Sequence, residues 1–393
     1  MRVSRADRSR AAEWWFTVDH VLVGAILAIV GAGLVLSLAA SPEVAIKKGL
    51  PTYHFVERHL VFSAAGILIM LAVSLFSPRG VRRLALLLLM LAVGGMFAVH
   101  FVGPEINGAR RWLAIGSHSI QPSEFAKPAF VVVVAWLFAE SEKRHDMPAL
   151  PLAILLAGLL ASLLLAEPDV GQTLLLCAVW GALYYLSGQP LFGAGIIGVC
   201  GALGLVFAYS SFDHVRIRVE RFFSAAPSDY SQLDRAMQSF SEGGFLGRGP
   251  GEGTIKTVLP DAHTDFIFAV VAEEYGVIAC LILVGLFAFV VMRALVKAAQ
   301  EPDAATRLAI QGLALVFGLQ ALINMGVNVG LLPAKGITLP FVSAGGSSML
   351  AVSITLGMLL ALTRRRPDLE RVKKPPLMPH KTSGIEPTGS VRK

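Results

Sequence analysis

The stretch LPDAHTDFIFAVVAEEYGVIACLILVGLFAFVVMRALV, Leu259 to Val296, decides the fold class. From Phe266 it is an apolar run of about 30 residues, roughly 45 Å as a helix at 1.5 Å per residue. That exceeds a hydrocarbon core of about 30 Å. Yet the run carries Asp265 at its start and Glu273 with Glu274 inside, and charged groups in lipid are expensive unless paired or functional. The uncharged run from Gly276 is long enough to cross alone. Residues 265–274 are therefore expected as a helical extension or a cavity wall. Glu273 and Glu274 lie about 100° apart on a helix, which turns at least one of them inward.

Comparable apolar runs recur along the 393 residues. Broadly apolar residues make up 55% of the chain and charged ones only 16%, against about 25% in an ordinary soluble domain. The composition predicts an all-α polytopic membrane protein with about ten transmembrane helices. They fall near 21–40, 60–76, 84–101, 125–139, 150–166, 173–186, 190–209, 266–296, 308–332 and 343–362.

Basic residues concentrate in one set of connections, MRVSRADRSR, SPRGVRR, ESEKRHD, RALVKAAQEPDAATR and TRRR. The positive-inside rule puts these, and both termini, in the cytoplasm. The chain then divides into an N-terminal tail 1–19, a membrane domain 20–363 and a basic, disordered tail 364–393. The connection 211–264 is much longer than the others and falls outside, in the periplasm of a two-membrane cell; such loops are functional or disordered. Much of the formal charge of +7 lies in the C-terminal tail. That tail has no interleaved aromatics, so contact with membrane lipids is expected and a nucleic-acid partner is not. Cys177, Cys200 and Cys280 lie in apolar runs without disulfide or metal-ligand spacing. No cleavage site follows the first apolar run, which is expected to stay as a span. No inverted repeat is visible, which weakens a transporter reading.

Three further polar groups fall on the expected outer side. NGARRWLAIGSHSIQPSEFAKP, 107–128, holds Arg110, Arg111, Trp112, Glu124 and Lys127. An interfacial belt explains part of it, with Trp112 at headgroup level, but arginine in an outer loop runs against the positive-inside trend and favours an anionic ligand. Glu124 and Lys127 are three apart, which also fits a plain helical ion pair. In LAEPDVGQT, Asp169 fits an N-cap and Glu167 does not; the two carboxylates are either solvated or hold a divalent cation. In NMGVNVGLLPAKGITLPFVSAGGSS, 324–348, prolines and Gly345–Gly346 interrupt helical structure, and Lys335 either snorkels or neutralises an anion. By spacing alone, Asp265 fits an N-cap as well as it fits a catalytic acid.

The motifs NGARRW, QPSEFAKP, EPDVGQT, LPDAHTDFIFAVVAEEYG and NMGVNVGLLPAKGITLPFVSAGGSS, in this order within 21–366, resemble the SEDS family of cell-wall polymerases. The LLPAKGITLPF form resembles its division-associated branch more than its elongation branch. The resemblance implies a peptidoglycan glycosyltransferase of the bacterial inner membrane, acting at the division septum on lipid II, a disaccharide-pentapeptide on undecaprenyl diphosphate. The family's essential acid matches Asp265. Arg111 and Lys335 match its basic positions, and Trp112, Glu124, Lys127, His263, Thr264 and Ser343 complete the implied substrate-binding set. Glu167 and Asp169 are the candidate ligands for a divalent cation, Mg2+ or Mn2+; no organic cofactor is implied. The implied partners are a class B penicillin-binding transpeptidase of FtsI type and other division-complex membrane proteins. Arg110 and Ala344 depart from the commoner family residues.

The residues fit a mechanism in which a sugar hydroxyl attacks an anomeric carbon and a lipid diphosphate leaves. Asp265 suits the general base, and Arg111 and Lys335 suit the charge on the leaving group. No carboxylate pair at a recognisable separation is legible, so a single base with inversion is expected. Glu273 and Glu274 are expected to line the cavity or pair with bases, one of them being structural. Two other readings are a lipid II flippase, which needs a polar path through both leaflets, and a non-catalytic division scaffold.

Overall fold

A computed structural model of the chain describes residues 10–106, 109–116, 118–144, 146–211, 216, 220, 232–332 and 336–365. The helices are α1 (Arg10–Thr17), α2 (His20–Lys47), α3 (His54–Ser74), α4 (Pro78–Val102), α5 (Pro122–Lys143), α6 (Ala149–Ala166), α7 (Val170–Leu186), α8 (Leu191–Ser211), α9 (Gln232–Gly243), α10 (Ile255–Val258), α11 (Ile267–Gln300), α12 (Ala304–Asn328) and α13 (Gly346–Thr363). Two small antiparallel hairpins lie between α4 and α5: β1 (Glu105–Ile106) with β2 (Ala109–Arg110), and β3 (Leu113–Ile115) with β4 (His118–Ile120).

Among the described residues, eight helices, α2 to α6 and α11 to α13, are long and apolar enough to cross a membrane, and α7 and the 198–211 part of α8 are shorter apolar helices. This is the expected polytopic architecture. Several boundaries carry sequence-legible caps. Asp19 accepts from the amides of Val21 and Leu22 at the start of α2. Ser77 accepts from Gly80 ahead of Pro78 at the start of α4, and Asp303 accepts from Thr306 at the start of α12. Burial works against the charge on Asp19, but the Leu22 amide, Arg293 and Lys297 outweigh it and leave its carboxyl below the usual range. The Arg293 and Lys297 contacts, 2.9 and 3.3 Å, tie the start of α2 to the end of α11.

The helices sort into an inner and an outer set. In α5, 89% of the most apolar window is buried, in α13 72% and in α12 67%, against 28% in α3, α4, α6 and α11. The inner helices are among the less apolar ones: mean hydropathy is 1.3 in α5 against 2.5 in α6, and nearly every residue of α5 from Ala126 to Ala139 is buried, because a span that carries polar side chains turns them to protein and not to lipid. The outer helices leave one face to lipid.

Helix α11 breaks at Gly276, whose φ is 78° and ψ 176°. The break leaves carbonyls and amides without intrahelical partners, and the glycine-rich stretch 244–249 satisfies them. The amides of Arg248 and Gly249 donate to the carbonyls of Glu273 and Glu274, at 2.9 and 3.0 Å, and the Gly244 and Phe245 carbonyls accept from Val277 and Ile278. The two glutamates complete the docking. Glu273 accepts from the amides of Thr254, Ile255 and Lys256 at 2.6 to 3.1 Å. Glu274 pairs with the Lys256 ammonium at 2.5 Å and accepts from the Gly251 amide at 3.1 Å.

Two expectations change here. Both glutamates are structural, where the sequence suggested one. The long connection is folded over 232–264, with Ala236 and Ser239 of α9 fully buried. The reason is the same in both cases: the acids are neutralised by backbone amides and a lysine of the connection, partners that are distant in sequence.

A Cβ at Gly276 would stand 2.2 Å from the Phe245 carbonyl oxygen, and the positive φ strains any other residue. Gly276→Ala is expected to destabilise the protein by at least about 1–3 kcal/mol, read as a lowered melting midpoint in detergent. An unchanged midpoint would contradict the docked connection.

Candidate active site

The turn 261–266 leads into α11 and carries Asp265. It is closed by the Thr264 and Phe266 amides, both donating to the Asp261 carbonyl. Three side chains from elsewhere hold it. Asn324 and Asn328 of α12 each donate to the Asp265 carbonyl, at 3.0 and 2.9 Å. Ser343 donates to the Thr264 carbonyl at 2.5 Å and accepts from the Leu339 amide at 2.8 Å. The Ala344 amide donates to the His263 carbonyl.

Capping of α11 falls to Asn328, whose side-chain carbonyl accepts from the Ala269 amide at 3.0 Å. The N-cap position itself is Phe266. Asp265 therefore does not hold the capping role that spacing alone left open. The Asp265 carboxylate lies against the backbone of Gly336: a Cβ there would be 3.6 Å from its Oδ2. Thr264 donates its hydroxyl to the Asp261 carbonyl. His263 is buried against Phe55, with ring centroids 4.7 Å apart. Burial, with Lys48 nearby, pushes its pKa down to about 4, so the ring is neutral at pH 7. A cavity of about 300 Å³ opens beside this turn, lined among others by Lys47, Lys48, Asp261 and His263.

A second polar group lies among α5, α7 and α12. Glu124 pairs with Lys127 at 2.9 Å and accepts from Gln172 at 2.8 Å. Lys127 also donates to Gln320, which donates onward to the Thr338 carbonyl. The Glu124–Lys127 pair is a helical ion pair, as the spacing allowed, and it is buried and extended into a network across three helices.

Arg111 holds the α6–α7 turn. Its Nε donates to the Glu167 carbonyl at 2.9 Å, a second nitrogen donates to the Pro168 carbonyl, and the guanidinium is 3.4 Å from Asp169. Asp169 caps α7 through the Gln172 amide. Trp112 is half-buried between β2 and β3. Arg110 is exposed and faces Glu105. Lys335 lies outside the described residues.

Glu167 is fully buried, and neither carboxylate oxygen has a hydrogen-bond partner among the described residues. Burial, reinforced by Asp169 and opposed by Arg111, raises its pKa from 4.5 to about 8. A divalent cation takes several oxygen ligands. No group of three or more His, Cys, Asp or Glu comes together among the described residues, and Asp169 is already engaged by Arg111. The Glu167–Asp169 pair therefore does not fit a resident cation.

Sequence reasoning passed over Gln320, Asn324 and Asn328. They recur every four residues on one face of an apolar helix, a pattern that marks a polar seam in a membrane interior.

Residues 19–367 match the family model described as cell cycle protein, FTSW_RODA_SPOVE. A Caulobacter vibrioides protein named “Probable peptidoglycan glycosyltransferase FtsW” is 45% identical over 93% of this chain and 94% of its own length. A Pseudomonas fluorescens protein of the same name is 35% identical over 88% of each. Among solved structures, a chain from a peptidoglycan synthase complex that coordinates polymerization and crosslinking superposes with a TM-score of 0.74. It is 26% identical and covers 91% of this chain and 99% of that one. The rod shape determining protein RodA of Thermus thermophilus gives a TM-score of 0.65 at 27% identity, covering 89% and 97%.

The raised pKa of Glu167 has a direction in pH. The folded state keeps the proton up to about pH 8, and the unfolded state releases it near 4.5. Stability from this group is full below pH 4.5 and is lost as pH rises through 8. The melting midpoint in detergent should fall across that window, and Glu167→Gln should flatten the fall. An equal slope in the two proteins would remove Glu167 as its source.

Proposed function

Because the chain belongs to the FtsW/RodA/SpoVE family of cell cycle proteins, we propose that it is a peptidoglycan glycosyltransferase that polymerises lipid II into glycan strands for septal wall synthesis. The observation that carries the chemistry is the Asp265 turn. Its carbonyls are fixed by Asn324, Asn328 and Ser343, and the capping of α11 is done by Asn328.

In this reading Asp265 takes the proton from the attacking sugar hydroxyl as the new glycosidic bond forms. The bond from the anomeric carbon to the lipid diphosphate breaks in the same step, with inversion. Lys335 follows the family motif and precedes Gly336, whose backbone lies against Asp265; it supplies positive charge to the leaving diphosphate. His263, Thr264 and Ser343 shape the turn. Glu124 and Lys127 set the polar wall, and Arg111 with Trp112 positions the first outer segment. A divalent cation would be held mainly by the substrate diphosphate, as Mg2+ commonly is, and would help neutralise the charge of the leaving group.

A class B penicillin-binding transpeptidase is the proposed partner, since the chain resembles a subunit of a synthase complex that couples polymerization to crosslinking. The proposed setting is the septal inner membrane, with both termini cytoplasmic, in keeping with the basic connections on that side.

Asp265→Asn preserves size and leaves the Asn324 and Asn328 bonds to the backbone carbonyl. Glycan chain formation from lipid II, with purified protein, transpeptidase partner and divalent cation, should fall by about 10²–10⁴-fold while melting and partner binding stay unchanged. Polymerisation near the parent rate would remove Asp265 as the base.

A further inference from the structure

At the opposite end of the bundle from Asp265, a cavity of about 260 Å³ opens between the start of α4 and the middle of α5. Its lining includes Arg79, Arg82, Arg83, Leu86, Val132 and Trp136. This end also carries the chain's terminal segments, since Arg364 donates to the Leu75 carbonyl and pairs with Glu13. Three arginines line one cavity. Arg82 is near enough to Asp303 to favour its charge, an acid that also approaches Lys143 at 3.7 Å and caps α12. Arg79 and Arg83 make no hydrogen bond or ion pair with any described residue. The cavity therefore has a clear excess of positive charge.

The other wall is apolar. Leu86 is exposed, and Leu87, Met90 and Leu91 continue the exposed face along α4. Guanidinium groups at one end of an apolar track match a phosphate joined to an acyl chain. The position of the arginines adds to the case. They sit in the first two turns of a helix with no acid in its first turn, where the dipole is already positive and further positive charge is unfavourable. A bound anion reverses that sign.

We propose that this groove binds one anionic phospholipid. Its phosphate lies among Arg79, Arg82 and Arg83, where arginine gives bidentate hydrogen bonds, and an acyl chain lies along Leu86 and Met90. Basic pockets between transmembrane helices suit such headgroups. The site does not depend on the glycosyltransferase reading, since it uses none of the residues assigned to that chemistry.

The test is native mass spectrometry of the full chain in detergent, titrated with phosphatidylglycerol or phosphatidylcholine. The parent should retain one phosphatidylglycerol in preference to phosphatidylcholine. The double variant Arg79→Gln/Arg83→Gln should bind it about 30-fold more weakly, the loss expected for two basic residues each worth about fivefold at a membrane surface. Arg144→Gln/Arg307→Gln, which removes the same charge outside the groove, should leave retention unchanged. Added salt should release phosphatidylglycerol from the parent and not phosphatidylcholine, a reading that needs no substitution. Equal losses in the two double variants would overturn the site in favour of diffuse surface charge. Equal retention of the two lipids, or preferential retention of undecaprenyl diphosphate in a third titration with that lipid, would overturn the proposed occupant.

Discussion

The seam of Gln320, Asn324 and Asn328 along α12 is the interaction on which the site depends. Each residue is buried, and each spends its amide on a backbone that has no regular structure of its own. Gln320 holds the Thr338 carbonyl, Asn324 the Ile337 and Asp265 carbonyls, and Asn328 the Asp265 carbonyl together with the Ala269 amide. Irregular backbone at membrane depth survives only where protein satisfies its polar groups. A rigid inner helix with an amide at every turn does that for two segments at once, and so brings the turn before α11 against the turn before α13.

The same constraint explains the charges. Glu273, Glu274 and Lys256 are almost fully buried, and a buried ion pair gains little net stability over an apolar contact. What it gives is placement. With one partner removed, the remaining charge costs about 3–5 kcal/mol, so the docked connection, the break at Gly276 and the glutamates stand or fall together. That coupling fixes the stretch 251–259, of which Lys256 to Leu259 line the cavity beside His263, relative to the helix that follows Asp265. Arg111 does similar work at the α6–α7 turn, where its donors go to two carbonyls and a carboxylate of the chain.

The polar groups divide by distance from lipid. The inner helices α5 and α12 carry the amides and the Glu124–Lys127 pair, while the outer helices present leucine, methionine and phenylalanine. Bases without partners appear at the ends of spans, where headgroups meet the protein. Catalytic geometry and lipid contact are thereby built from separate residues of one bundle.

Length and hydropathy alone determined the membrane class, the approximate spans and the sufficiency of the run from Gly276 for the crossing, because the bilayer imposes a fixed thickness on any crossing helix; the break at Gly276 itself was decided by the docked connection. The order of the polar motifs determined the family. The sequence also marked Asp169 as a cap, which the structure bears out, since capping is a contact between near neighbours. The roles of Glu273 and Glu274, of Arg111, and of the Asn328 side chain that caps α11 in place of Asp265 were decided only by tertiary structure. Their partners lie between 17 and 59 residues away, and local pattern carries no information about which backbone amide or carbonyl a buried side chain will meet.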